Sequence, residues 1–482
     1  MHATTRALAS ADLRLRGAAV ILGYVALGLL MAWTRLAGLD RSYWHDELVT
    51  VEDFVRRGPG VILAGEYIPN NHQLFSLLAW ATTALAGESE ALLRLWSVLP
   101  FLLGVVLVTG WLHRRVGPLS GLAFLYLVAL SPLLLDISRQ ARGYGLAVLA
   151  MSCLVVVALE LERGERPGPL VAAFCVASVA GTWTFPHFAL AFAATAAVLF
   201  RERRLRRPLG AGVLASAAAI AVFYAPHAAE LATNARQEYG TQIAPLGILT
   251  APIDQVLVPA FLGIDGYVVF FHAAWLPLVA ALALLLGSSP LLRSRWPALV
   301  LTAPVVATVA AFWALRLYAA PRFFSFLLVP LLMLLASGAA AVLGRRRPPL
   351  VRGIVALAGA ALLSYYFATA WVDVVRLPRE AHRDAAEVIR AYAPGTTPVF
   401  AYMGRPRDLD FYLDRPFRTS RRPALLDEAC ESRLPVAIVV QPWLVRPVPI
   451  PCGGRPGTRR FTLRQYSRGE RLEVWLIPPA RA

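Results

Sequence analysis

The sequence predicts an all-α polytopic membrane protein of about eleven transmembrane helices, ending in a small extracytoplasmic α/β domain. Three observations carry that prediction. Of 482 residues, 57% are apolar and only 16% charged, with a mean hydropathy of +0.57, too little charge to wet a soluble globule of that apolar content. Apolar runs of about 17–25 residues, the length a helix needs to cross a bilayer, recur along most of the chain. Near residue 376 the composition turns polar, and short apolar runs alternate with turn signals.

The first span is Gly17–Leu39, behind Arg6, Arg14 and Arg16. It is too long for a signal-peptide core and lacks a small-residue cleavage site. Further spans are expected near Leu95–Leu112, Leu119–Leu135, Ala141–Leu159, Leu170–Thr182, Phe188–Phe200, Leu209–Pro226, Tyr267–Gly287, Pro297–Ala314, Phe323–Gly344 and Ile354–Trp371. The runs flanking Trp183–His187 read either as a tight pair of spans or as one broken span. All 47 basic residues are arginines, and the net charge is +17. In a soluble protein that charge would suggest nucleic acid. Here the arginines gather between apolar runs, at His113–Arg115, Arg163 with Arg166, Arg201–Arg207, Arg293 with Arg295, and Arg345–Arg347. This is the cytoplasmic-loop pattern of a membrane protein with a cytoplasmic N-terminus. It holds only if Gln73–Ala86 lies along the outer interface and does not cross. An odd number of spans then exports the C-terminal segment, giving a membrane domain over 1–375, with an outer loop at 40–94, and an extracytoplasmic domain over 376–482. The latter should contain a helix at Glu380–Tyr392 and strands near Pro398–Tyr402, Pro435–Val440 and Glu473–Ile477. Cys153 and Cys175 fall in spans. Cys430 and Cys452 fall in the exported domain, where an oxidising compartment permits a disulfide, and the sequence leaves their pairing open.

Polar residues where hydrocarbon disfavours them mark the candidate site. Tyr43-Trp44-His45-Asp46-Glu47 sets two adjacent carboxylates beside aromatics just past the first span. Burial at such a boundary favours a carboxyl that can accept a proton, although a solvated acid pair on a loop explains the pattern about as well. Asp136–Tyr144 places Arg142 one residue into an apolar run, where a guanidinium needs a partner or snorkels to the interface. Arg316 and Arg322 recur on the same predicted side. Arginines on the face that should be poor in them call for an anion, and a planar guanidinium suits phosphate.

In order, Trp44–Glu47, Ile68–Phe75, Arg94–Ser97 and Ser131-Pro132 leading to Ala141–Tyr144 resemble the N-terminal half of GT-C superfamily glycosyltransferases. More narrowly, they are similar to the bacterial branch of protein O-mannosyltransferases, lipid A aminoarabinose transferases and RgtA/B/C/D-like glycosyltransferases. Trp183–His187 and Pro321–Phe324 extend the resemblance over nearly all the membrane region. It implies transfer of a sugar from a polyprenyl-phosphate donor to a glycan, lipid or protein acceptor at the outer face of the cytoplasmic membrane, with inversion and with no nucleic acid involved. It further implies Asp46 as general base with Glu47 beside it, and Arg142 and Arg322 on the donor phosphate. His72 and Tyr144 would be near that phosphate, and His187, Arg316 and Gln140 would be secondary members. Gln140 stands where many relatives have glutamate, and Gln73-Leu74 where they have prolines. Some relatives hold a divalent metal in this loop. Glu66 with His72 supplies only two ligands, so a metal is allowed but none is expected as obligatory. The competing readings are a transporter or flippase of lipid-linked glycans, a non-catalytic adaptor of the same fold, and a ligase using a pyrophosphate-linked donor. No internal repeat or midplane charge supports the transporter.

Overall fold

The computed structural model describes residues 2–164, 167–237, 263–264, 267–268, 275–315, 321–344, 350, 353, 356–357, 359–361, 364, 375, 380–403, 406–422, 424–441, 451–464 and 471–480. The chain is a multi-pass membrane protein. Among the described residues seven helices are long and apolar enough to cross a bilayer, and Gln73–Ala86, Pro118–Leu130 and Phe188–Leu199 are shorter apolar helices.

Two compact units emerge, one of Met1–Ala37, Phe54–Glu88 and Leu92–Trp371, the other of Gly38–Asp53, Ser89–Ala91 and Val372–Ala482. The helices, in chain order, are α1 (His2–Leu36), α2 (His45–Thr50), α3 (Pro59–Ala64), α4 (Gln73–Ala86), α5 (Glu90–Arg115), α6 (Pro118–Leu130), α7 (Pro132–Ser138), α8 (Tyr144–Leu161), α9 (Pro167–Thr184), α10 (Phe188–Leu199), α11 (Arg206–Tyr224) and α12 (Ala228–Gln237). They are followed by Trp275–Ser288, Arg295–Ala314 and Leu328–Val342. Helix α8 and the segment Arg322–Val342 are central, each with 72% of its apolar window buried, whereas the first span is 11% buried and turns Ile21, Leu22 and Leu29 outward. Leucines exposed on a helix of that length face lipid, not water.

Several predicted spans are corrected in detail. Leu119–Leu135 is not continuous. Pro132 has no N–H to give the Val128 carbonyl and pushes Ser131 to an extended conformation, so α6 stops at Leu130 and α7 restarts with the Ser131 hydroxyl accepting the Leu134 N–H. Buried Arg35 takes up the freed carbonyls, Nη2 donating to Val128 O at 2.8 Å and Nη1 to Ala129 O at 3.0 Å. The sequence reading passed over this arginine. In the span expected from Tyr267, Tyr267–Val268 is instead a strand, β2, paired with β1 (Gly263–Ile264), and Trp275–Ser288 is helical. Pro321–Leu327 is a 3₁₀ turn leading into Leu328–Val342. Trp183–His187 joins a tight pair of helices, α9 and α10, as Gly181 lets the Phe188 ring approach to where a Cβ would stand 2.5 Å away. Most of Ile354–Trp371, Arg345–Arg347, Arg166 and the 238–252 stretch lie outside the described residues.

In the second unit, a five-stranded sheet has the order β4 (Arg418–Ser420), β3 (Val399–Tyr402), β5 (Val436–Val440), β7 (Arg471–Ile477) and β6 (Arg459–Arg464). β3 runs parallel to β4 and β5, while β7 is antiparallel to β5 and β6. β3 and β5 are buried throughout, which explains their unbroken apolar sequences. One face, with Val399, Ala401 and Val439, packs on helix His382–Tyr392. The other, with Phe400, Ile438 and Trp475, packs on helix Ala424–Glu431. Cys430 and Cys452 are bonded, Cα to Cα 5.2 Å.

Candidate active site

The first unit gathers His72, Arg142 and Tyr144, with His187 and Arg322 within electrostatic reach of His72. Asn71 Nδ2 and Gln73 Nε2 both donate to the Ile62 carbonyl, at 2.9 and 3.2 Å, and Ser76 donates to Asn71. This locks the loop before α4 and leaves His72, only 1% exposed, directed at the start of α8. There Gly143 is the residue before the first helical turn, so Arg142 precedes the helix and does not lie inside an apolar run as the sequence suggested. Arg142 Nη2 donates to Asn70 Oδ1 at 3.0 Å and stands 3.0 Å from His72 Nε2, and the Gly143 N–H donates to His72 Nδ1 at 2.8 Å. Arg142 is fully buried and lies over the Tyr144 ring at 5.3 Å. Phe185 packs on His72 and Tyr144, with ring centroids 4.4 and 5.4 Å away. The glycines are steric requirements, since a Cβ at Gly143 would stand 2.4 Å from Thr184 Cγ2 and one at Gly145 1.8 Å from Ser97 O.

This arrangement has a chemical asymmetry. A guanidinium and a peptide N–H can only donate, and a neutral imidazole has a single lone pair. The Gly143 N–H takes that lone pair at Nδ1, so Nε2 carries a hydrogen and faces the Arg142 guanidinium as a second donor. Two donors converging at the N-terminal end of an 18-residue helix suit an oxyanion. Burial first, then electrostatic interaction with Arg142, His187 and Arg322, holds the His72 imidazole well below its ordinary pKa. His187 donates from Nε2 to Phe323 O at 2.8 Å, and burial pushes its pKa down to about 4. Arg322, half-buried, stacks over Phe323 at 5.4 Å and lies within electrostatic reach of His72. The Gln140 amide is buried, and neither its nitrogen nor its oxygen makes a hydrogen bond among the described residues. Glu66 is exposed, and both ring nitrogens of His72 are engaged, so these two do not form a ligand pair. Arg316 lies outside the described residues.

Asp46 and Glu47 belong to the second unit, on α2, 9% and 1% exposed. Glu47 reaches back to accept the Trp44 N–H at 3.1 Å, the reciprocal half of a helix-capping box. The surrounding turn is clamped by the C-terminal segment. Tyr412 Oη accepts the Tyr43 N–H, Glu380 accepts the His45 N–H, and Arg407 pairs with Glu52 and, through two nitrogens, with Asp53 at 2.7 and 3.0 Å.

No family model matches the chain, and no curated protein matches it in sequence. Its architecture is nevertheless similar to that of ArnT from Cupriavidus metallidurans in the apo state, over 95% of this chain and 98% of that one, with a TM-score of 0.53 and 14% identity. The fold is of the GT-C type. ArnT from the same organism bound to undecaprenyl phosphate matches at a TM-score of 0.48 and 14% identity, covering 94% and 97% of the two chains. An oligosaccharyltransferase from Archaeoglobus fulgidus tethered with an acceptor peptide matches at 0.48 and 13%, covering 88% and 69%. Neither of these adds to the fold assignment. Within the GT-C fold of this chain, sequence reasoning missed Asn70 as a partner of Arg142. It also missed buried His227, which meets Gln73 Nε2 at 3.0 Å and Leu63 O at 2.9 Å. The only sequence signal for His227 was a histidine at the end of a span.

Proposed function

We propose that this protein is a membrane glycosyltransferase that draws a sugar from a polyprenyl-phosphate carrier and transfers it at the outer face of the cytoplasmic membrane. The observation that carries the reading is the convergence of donors at His72, Arg142 and Gly143, a buried arrangement that an anionic oxygen would complete. Arg142 and the Nε2–H of His72 hold the phosphate, Tyr144 forms the ring under the guanidinium, and Arg322 and His187 add field and packing. As the bond from the sugar's anomeric carbon to the phosphate oxygen breaks, charge grows on the leaving phosphate, and fixed donors stabilise that charge more than they stabilise the bound donor. In this reading Asp46 is the general base that accepts the acceptor's proton as the new bond to the anomeric carbon forms, and the transfer inverts the sugar's configuration. Glu47, engaged at the head of α2, orients this carboxylate. The GT-C fold supports the reading, since it is shared with ArnT, a glycosyltransferase.

Phosphate recognition is tested separately from chemistry by thermal unfolding in detergent with a polyprenyl monophosphate or the matching polyprenyl alcohol. Stabilisation by the phosphate alone, lost in Arg142→Gln, is the expected result. Equal stabilisation by both lipids, or a phosphate effect that survives in the variant, overturns the assignment.

A further inference from the structure

We infer that Glu380, His382 and Asp408 form a divalent metal site, of the zinc type, at the base of the turn that carries Asp46. Their ligand atoms lie within 4.8 Å of one another, with His382 Nε2 3.4 Å from Glu380 Oε2 and 3.6 Å from Asp408 Oδ2. Those separations are long for hydrogen bonds. They fit a tetrahedral ion, because metal bonds of about 2.0–2.2 Å place neighbouring ligand atoms about 3.3–3.6 Å apart.

Burial strengthens the case. His382 is 1% exposed and Asp408 wholly buried, and Asp408 Oδ2 makes no hydrogen bond among the described residues. A carboxylate as deeply buried as Asp408, with one oxygen that makes no hydrogen bond among the described residues, is costly to keep charged, and a cation held at that oxygen would offset the cost. His45 supplies the outer support such sites need. Its Nδ1 donates to Asp408 Oδ1 at 2.8 Å, aiming the other oxygen at the site, and its backbone N–H donates to Glu380 Oε2 at 3.1 Å. One imidazole and two carboxylates are a borderline donor set that suits Zn²⁺, with a fourth position for water. Mg²⁺ would demand near-octahedral oxygen coordination. Because His45 immediately precedes Asp46, the ion would fix the acidic turn to Glu380 and to the helices that bear His382 and Asp408. This role is one of positioning, and it does not depend on the proposed glycosyl transfer.

The test uses the full chain purified with a tag free of histidine. We expect about one tightly held zinc per chain, removable by a chelator, with the melting temperature falling on removal and recovering when Zn²⁺ is returned. The Co²⁺-loaded protein should show the ligand-field absorption of a tetrahedral site. Asp408→Asn and His382→Gln should abolish retention, and His45→Ala, which keeps all three ligands, should weaken it about 10–100-fold. A native chain that takes up no Zn²⁺ and shows no thermal response to it overturns the inference without reference to any variant. So does metal retained equally by Asp408→Asn and His382→Gln. Neither outcome bears on sugar transfer, which is read in a separate assay.

Discussion

His72 is the residue on which the anion reading turns, because both of its ring nitrogens meet groups that can only donate. Replacing Arg142 by lysine keeps the charge but removes the planar fork, and transfer should fall about 10²–10³-fold at unchanged expression, measured as initial rate in membranes. The histidines also predict a pH dependence. Their folded pKa values lie below the ordinary value of about 6.5. Above that value both folded and unfolded chains hold them neutral and the stability is intact. As pH falls toward about 4, the unfolded chain binds protons that folded His187 refuses, so stability is lost. Thermal unfolding should therefore drop between pH 6.5 and pH 4, less steeply in His187→Asn. Arg142 stood out in the sequence because a guanidinium at the edge of an apolar run needs a partner, whereas His72 and Tyr144 became candidates only through the family resemblance. The His45–Asp408 pair was not legible there, since 363 residues separate its members and no local pattern links them.

The elements show where periodicity succeeds as a guide and where it fails. β3, β5 and β7 are embedded in the sheet, and burial writes an apolar run into each, so they could be found in the sequence. β6, Arg-Arg-Phe-Thr-Leu-Arg, and β4 lie at the edges, where exposed positions accept charge, and they left no such run. The break at Pro132 falls inside one apolar stretch, so hydropathy alone reads straight through it. Two element-scale predictions follow from close contacts and cross-links. Gly145→Ala sets a methyl group against the Ser97 carbonyl, where α8 meets α5, and should cost about 1–3 kcal/mol or more, measured by unfolding in detergent. Cys430→Ser opens a link spanning 22 residues and should cost the second unit about 2–4 kcal/mol.

For the whole molecule, the apolar helices establish a multi-pass membrane protein, and the arrangement of arginines proposes its orientation. That orientation predicts that an impermeant thiol reagent added to intact cells labels Arg57→Cys and Asp414→Cys, both exposed, and spares Arg163→Cys until the membrane is opened. Labelling of Arg163→Cys alone would invert the molecule. The division of the outer loop was not legible. A linear reading cuts the chain near residue 376, whereas Gly38–Asp53 groups with the C-terminal segment through contacts more than 300 residues apart in sequence, such as Arg407 with Asp53. The most direct test of the central claim is transfer of radiolabelled sugar from a panel of polyprenyl-phosphate sugars in membranes holding the native chain or Asp46→Asn at equal expression. The account predicts label incorporated by the native chain and reduced about 10²–10⁴-fold in the variant. Equal incorporation by both, or none by the native chain from any donor, would contradict it.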